Sequence, residues 1–224
     1  MRDGLILANR SQIFMRKGIY NTFDKHGNMY CDERWQVATL PDGSTQLDNE
    51  TTRIKPFAEP RSDSVTFLLD PHLQPLSWTI HGLKGHREGR VSWVDDKAFT
   101  CWQHGLSTNR REFAWKAQDE LDYFSPLFNM LTIRRSALAA GQHRTFDTLF
   151  LDPVTFEPSW MQQTYANLGL ESHQSRLGII DLHHYSMIFG NDASSHMWCD
   201  DTGLVFDLVD SSGGGFKLVA VNFP

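Results

Sequence analysis

The sequence predicts an α+β domain in which a curved antiparallel β-sheet, between a half-barrel and a barrel, wraps around one central helix at about residues 126–140. Three observations carry this. Polar and large apolar residues alternate in several segments on both sides of the middle of the chain, the two-residue period that places alternate side chains on opposite sheet faces. The stretch with a clear helix start and stop lies between those two sets of segments. The connections are short and rich in turn residues, which favours a meander of neighbouring strands.

In chain order, a helix near Leu5 to Met15 is weakly signalled, and strand character dominates from about Gly18 to Lys116. Ser77-Trp78-Thr79-Ile80-His81, Arg90-Val91-Ser92-Trp93-Val94 and Glu112-Phe113-Ala114-Trp115-Lys116 alternate as half-buried antiparallel strands do. Pro41-Asp42-Gly43-Ser44 and Asp70-Pro71-His72 mark turns, as does the glycine-rich tract from Gly82 to Gly89, while Phe57 to Asp63 reads as a flexible loop. For the helix, Ser125 supplies an N-cap hydroxyl, Pro126 suits the first position because its missing N–H is not needed there, and Gly141 offers a left-handed stop. Leu127, Met130, Leu131, Arg134 and Leu138 fall near one face at spacings of three and four. Strands return over Arg144 to Leu151, Phe156 to Leu168 and Leu177 to Phe189. A hairpin follows, Ser195 to Cys199 and Leu204 to Val209 across Asp200-Asp201-Thr202-Gly203. Ser211 to Gly215 reads as a flexible hinge before a closing strand, Phe216 to Val221.

At 224 residues the chain fits a single domain, 1–224. The composition is 40% hydrophobic and 21% charged, which excludes collagen-like, coiled-coil and wholly disordered classes. With 21 Lys plus Arg against 27 Asp plus Glu, the balance of −6 argues against nucleic acid as the partner, because phosphate recognition draws on clustered cations. The apolar run Leu5 to Ala8 is too short for a signal peptide core or a membrane span, so no stable membrane insertion is expected and the chain reads as cytoplasmic. Cys31, Cys101 and Cys199 are widely spaced and read as buried free thiols.

The stretch Ser125-Pro126-Leu127-Phe128-Asn129-Met130-Leu131-Thr132-Ile133-Arg134-Arg135, followed by Leu138, resembles the signature of the glycolipid-binding family. Gln163-Thr164-Tyr165 and Asp201-Thr202-Gly203-Leu204-Val205 resemble that family's Gln-x-Tyr strand and its closing hairpin, in the same order. The resemblance lies mainly in the C-terminal half. It implies an antiparallel half-barrel around a helix, related in shape to bacterial lipoprotein carriers, with a lipid-like ligand. The sequence departs from the pattern where two inner threonines are Phe128 and Met130, a proline is Thr132 and a leucine is Ser136. Large apolar groups at those places reshape any cavity beneath the helix.

Arg134 and Arg135 form the most specific polar feature. Adjacent helical residues point about 100° apart, so one guanidinium can enter the hollow and clamp an anionic or carbonyl-bearing ligand end. The structural alternative is a salt bridge from helix to sheet, with Asp122 or Glu120 as partner. Trp78, Trp93, Trp102 and Trp115, with Phe128, Met130 and Tyr165, can line a pocket for an apolar or amphipathic small molecule, or they can fill the core. Asp181, His183 and Tyr185 share a strand face at i, i+2 and i+4 and are the candidate acid–base residues; the alternative is an ordinary polar strand face.

His81 and the tract through His86 to Glu88 hold ligand-type atoms, but flexible glycines and nearby cations make a poor site, so no metal is expected. Walker, Gly-x-Gly-x-x-Gly and Gly-x-Ser-x-Gly patterns are absent. Two function classes follow. One is a binder of an apolar or amphipathic small molecule in an aromatic-lined half-barrel. The other is a cofactor-independent isomerase, cyclase or lyase of natural-product biosynthesis, folding a lipid-like, polyketide or terpenoid substrate in the same cavity. Neither calls for a cofactor.

Overall fold

The computed structural model describes residues 14–54, 61–82, 87–104, 106–190 and 193–222. Most of the segment read as a weak N-terminal helix, part of the loop at 57–63 and the centre of the glycine-rich tract lie outside these residues. The strands of the first half are β1 (Phe14–Phe23), β2 (Met29–Thr39), β3 (Thr45–Arg53), β4 (Arg61–Leu69), β5 (Pro75–Gly82), β6 (Arg87–Val94), β7 (Lys97–His104) and β8 (Ser107–Ala114). The short β9 (Glu120–Asp122) leads into helix α1 (Pro126–Ser136). The second half holds β10 (His143–Leu151), β11 (Pro158–Ser175), β12 (Gly178–Phe189), β13 (Ala193–Cys199), β14 (Val205–Asp210) and β15 (Gly215–Asn222).

Among the described residues these strands form one sheet in the order β8 to β1, then β15 down to β9. It is thus two meanders, joined where β1 pairs antiparallel with β15. The expected antiparallel character holds except at β9 and β10, which are parallel. The exception has a simple cause: α1 is the connection between them, and a helical crossover returns the chain in the same direction. The sheet is curved but not closed. Its outer strands are β8 and β9, and no hydrogen-bonded ladder joins them among the described residues.

Inward residues follow strand parity. Along β3, Thr45, Leu47, Asn49, Thr51 and Arg53 are buried while the residues between them are more accessible. The main core joins Trp35, Leu47, Val65, Phe67, Trp78 and Ile80 of the sheet to Leu127, Phe128, Met130 and Leu131 of the helix. A second cluster gathers Ile133 with Phe146, Tyr165, Tyr185 and Met197.

The helix is shorter than the sequence implies, ending at Ser136 instead of near residue 140. Its N-cap is as read: Ser125 is extended, its Oγ accepts from Leu127 N, and Pro126 opens the first turn. The stop is made by Ala137, in the left-handed region at φ 44°, whose N–H reaches Ile133 O. Gly141 also has positive φ but belongs to the next turn, where its N–H bonds Asn167 O. Every residue from Pro126 to Ile133 is buried, so no face of the helix over this stretch is left to solvent. The expected hinge at 211–215 is instead a tight hairpin turn, with Asp210 Oδ1 accepting from Ser212 N at 2.7 Å and Gly214 N at 3.2 Å.

Strand β11 runs seven residues past the expected end at Leu168. A bulge between Asn167 and Gly169, with Gly169 at φ 110°, bends it. The extended β11–β12 hairpin then curls back over its neighbours. His173 of β11 meets Asp207 of β14 at 2.6 Å, although those strands are three apart in the sheet, about 14 Å in a flat one.

Candidate functional site

At one end of the half-barrel the sheet carries polar residues at inward positions. Glu33 stands between Cys31 and Trp35 on β2, Arg53 ends the inward row of β3, and Asp63 precedes Val65 and Phe67 on β4. All three are 1% exposed or less. Burial of this kind demands partners. Arg53 donates to Tyr123 Oη at 3.0 Å and to Pro153 O at 2.9 Å, and its guanidinium lies 3.5 Å from Asp63. Arg87 donates to the other oxygen of Asp63 at 2.6 Å and to Val154 O at 3.0 Å. Two guanidiniums therefore hold one carboxylate, and between them tie β3, β4 and β6 to the turn after β10.

Glu33 serves the helix. Its Oε1 accepts from Ser125 Oγ at 2.5 Å and from Asn49 Nδ2 at 2.9 Å, so the N-cap residue is anchored to the sheet. Burial pushes the Glu33 carboxyl up to about 7, against the lowering effect of those two hydrogen bonds.

Beside this network a cavity of about 480 Å³ opens to the surface. Phe23, Tyr30, Phe124 and Pro153 give it apolar walls; Arg53 borders it from within, and Lys25, Asp24, Asp210 and Ser212 supply polar groups. The Arg53 guanidinium sits 4.9 Å from the Phe124 ring centroid, a cation over an aromatic face. Burial raises the Tyr30 hydroxyl to about 12, so it is a neutral donor at physiological pH. The arrangement suits an amphipathic molecule: an apolar slot, a buried cation at its inner end and a few polar groups at its rim. A second, larger groove of about 650 Å³ crosses β15 and β1 to β4. Gly18, Trp35, Asn49 and Val65 are in register there, and Lys17, Arg34, Glu50 and Thr66 are among its lining residues.

The sequence-predicted residues are distributed differently. Arg135 pairs with Glu120 at 2.8 Å and donates to Ala117 O at 2.7 Å, which is the helix-to-sheet tie with one of the two expected partners. Arg134 is exposed on the last turn, and partial desolvation of its guanidinium, with the nearby Arg16, lowers its pKa. Trp78, Trp102, Trp115, Phe128 and Met130 are buried in the main core, with Trp93 packed against it. Trp78 meets Tyr123 edge-on at 5.8 Å, and Phe128 stacks on Phe67 at 5.6 Å. Tyr165 is buried in the second cluster and its hydroxyl accepts from Asn129 at 2.8 Å. Asp181 is exposed, His183 pairs with the exposed Asp201 at 2.9 Å, and Tyr185 is buried with Asn167 donating to its hydroxyl at 3.2 Å. None of these residues lines the 480 Å³ cavity.

Arg53, Glu33, Asp63 and Phe124 escaped the sequence reading. For Glu33 and Asp63 the available signal was parity, a charged residue at an inward position of an otherwise apolar strand face; Arg53 ends a largely polar inward row with Thr45, Asn49 and Thr51, and Phe124 lies between β9 and α1, so neither carried that signal.

The fold is shared with solved structures. A DUF1089 family protein from Pseudomonas aeruginosa is 20% identical with a TM-score of 0.55, covering 78% of this chain and 88% of its own. A beta-barrel-like protein of domain of unknown function DUF1849 from Brucella abortus is 10% identical with a TM-score of 0.60, covering 95% of this chain and 99% of its own. No curated protein matches the chain in sequence. The family described as "Putative glycolipid-binding" matches residues 60–210. That span contains β4 through β14 with the whole of α1, and the chain belongs to this family.

Proposed function

We propose that the protein binds a lipid-like, amphipathic small molecule at the open end of the half-barrel, with the apolar part of the ligand in the 480 Å³ cavity and its polar end toward Arg53 and Lys25. The observation that carries this reading is the joining of apolar walls to a buried guanidinium at one mouth of the fold. Membership of a family described as glycolipid-binding supports the ligand class. Arg134, on the exposed last turn, remains a candidate contact for a charged ligand end, whereas Arg135 is engaged by Glu120.

Native mass spectrometry of gently purified protein, with denaturing extraction, identifies any retained lipid. Displaceable binding of dansylaminoundecanoic acid then locates it. Ser212→Trp places an indole in the cavity from an exposed turn position, and it is expected to weaken that probe by about ten-fold or more. Wild-type affinity in this variant overturns the assignment of the mouth. The isomerase, cyclase or lyase reading gains no geometric support from Asp181, His183 and Tyr185: His183 pairs with Asp201, the Tyr185 hydroxyl accepts from Asn167, and Asp181 is exposed.

A further inference from the structure

The two ends of the sheet approach each other at a seam. Phe113 of β8 meets Trp160 of β11 edge-on at 6.1 Å, Trp115 lies 6.1 Å from the same indole, and Arg111 pairs with Glu157 at 3.3 Å. Beside these contacts is a cleft of about 480 Å³ lined by Ala114, Lys116, Asp119, Asp147, Trp160 and Gln162. It shares no residue with the mouth cavity.

The chemistry of this cleft is specific. Trp160 is 39% exposed, a large aromatic surface left facing solvent. Asp119 is only 3% exposed; its Oδ2 accepts from Lys116 N at 2.8 Å, while its Oδ1 has no hydrogen-bond partner among the described residues. A buried carboxylate oxygen without a donor is costly, and it points to a ligand that brings one. Asp147 is exposed and accepts from Gln162 Nε2 at 3.2 Å, which leaves further acceptor capacity. Two carboxylates disfavour an anionic ligand. The neighbouring Lys116 disfavours a simple cation. A wholly apolar ligand would leave the polar groups of the cleft unpaired.

We propose that the seam cleft is a subsite for a neutral pyranose. One face of a sugar ring presents C–H groups to the Trp160 indole, and its hydroxyls donate to Asp119 and Asp147 while accepting from Gln162 and Lys116. Each hydroxyl both donates and accepts, which matches a rim that holds both kinds of group.

The test uses the full chain and three probes, methyl β-D-glucopyranoside, methyl β-D-galactopyranoside and methyl α-D-mannopyranoside, followed by saturation-transfer NMR and tryptophan fluorescence. At least one is expected to bind in the millimolar range. Trp160→Ala is expected to weaken it by about ten-fold or more, and Trp160→Phe by only a few-fold. Asp147→Asn, at an exposed position, is expected to weaken it several-fold without affecting the fold. No saturation transfer to any of the three, or wild-type affinity in both Trp160→Ala and Asp147→Asn, overturns the proposal. Failure here is distinguishable from failure of the mouth reading: Ser212→Trp is expected to leave glycoside binding unchanged, and Trp160→Ala to leave dansylaminoundecanoic acid binding unchanged.

Discussion

Gly18 shows how one residue sets the packing of the sheet. A Cβ there would lie 2.5 Å from Trp35 Cζ2 and 2.6 Å from Ala220 O. The missing side chain lets the Trp35 indole lie flat against β1, where Tyr20 stacks on it at 5.8 Å. Gly18→Ala is therefore expected to cost about 1–3 kcal/mol through overpacking. By contrast Gly27, at φ 78° with nothing within 4 Å of its would-be Cβ, is a matter of backbone conformation alone. Gly27→Ala is expected to cost about 1–2 kcal/mol, all of it from the left-handed backbone. Urea unfolding of the two variants checks both values, and a negligible cost for Gly18→Ala would mean that Trp35 and the Ala220 strand both give way. Glu33 shows the same economy in polar form, since one carboxylate oxygen orients both an N-cap serine and a neighbouring-strand asparagine.

At the scale of elements, α1 is held at both ends by different means. Its start is bound to β2 through Ser125 and Glu33, and its end to β9 through Arg135, Thr132 and Glu120. The Arg135–Glu120 pair is nearly buried, with side-chain exposures of 10% and 4%. Removing one partner of such a pair strands the other charge. Arg135→Ala is expected to destabilise by about 3 kcal/mol, whereas exposed Arg134→Ala is expected to stay within about 0.5 kcal/mol. Thermal unfolding of both variants reads this out; comparable losses would show that the last turn is held by something other than the ion pair. The same local argument explains the helix's early stop. Beyond Ile133 the residues lose the enclosure of the sheet, and Ala137 turns the chain before Gly141 is reached.

For the whole molecule, buried carboxyls govern the response to pH. Burial pushes Glu33 and Glu120 to about 7 and Asp122 to about 6, against hydrogen bonds from Ser125 and Asn49, Arg135 and Thr132, and Gln163 respectively. In each case the folded state binds the proton more tightly than the unfolded chain. Their contribution to stability is thus complete below the ordinary carboxylate range and is lost as pH rises through about 6 to 7. Melting temperatures are expected to fall between about pH 5 and 8, and Glu33→Gln, which has no proton to lose, is expected to flatten that fall. A variant curve parallel to wild type would remove Glu33 from this account. No helix of the described residues is long and apolar enough to cross a membrane. Strand alternation and short turns made the curved sheet legible in the sequence, because the two-residue period is local chemistry. The cap at Ser125 was legible for the same reason, as was the carboxylate partner of Arg135, narrowed to Glu120 or Asp122. Tertiary structure alone decided that four tryptophan positions pack in or against the core, that β11 bends at Asn167 to Gly169 and folds its hairpin back to Asp207, and that Arg53, Asp63 and Arg87 converge. Arg53 reaches Tyr123 across seventy positions of chain, and Arg87 reaches Val154 across sixty-seven. Such contacts depend on how far the whole sheet curls, a property summed over every strand pair, so no local pattern in the sequence encodes them.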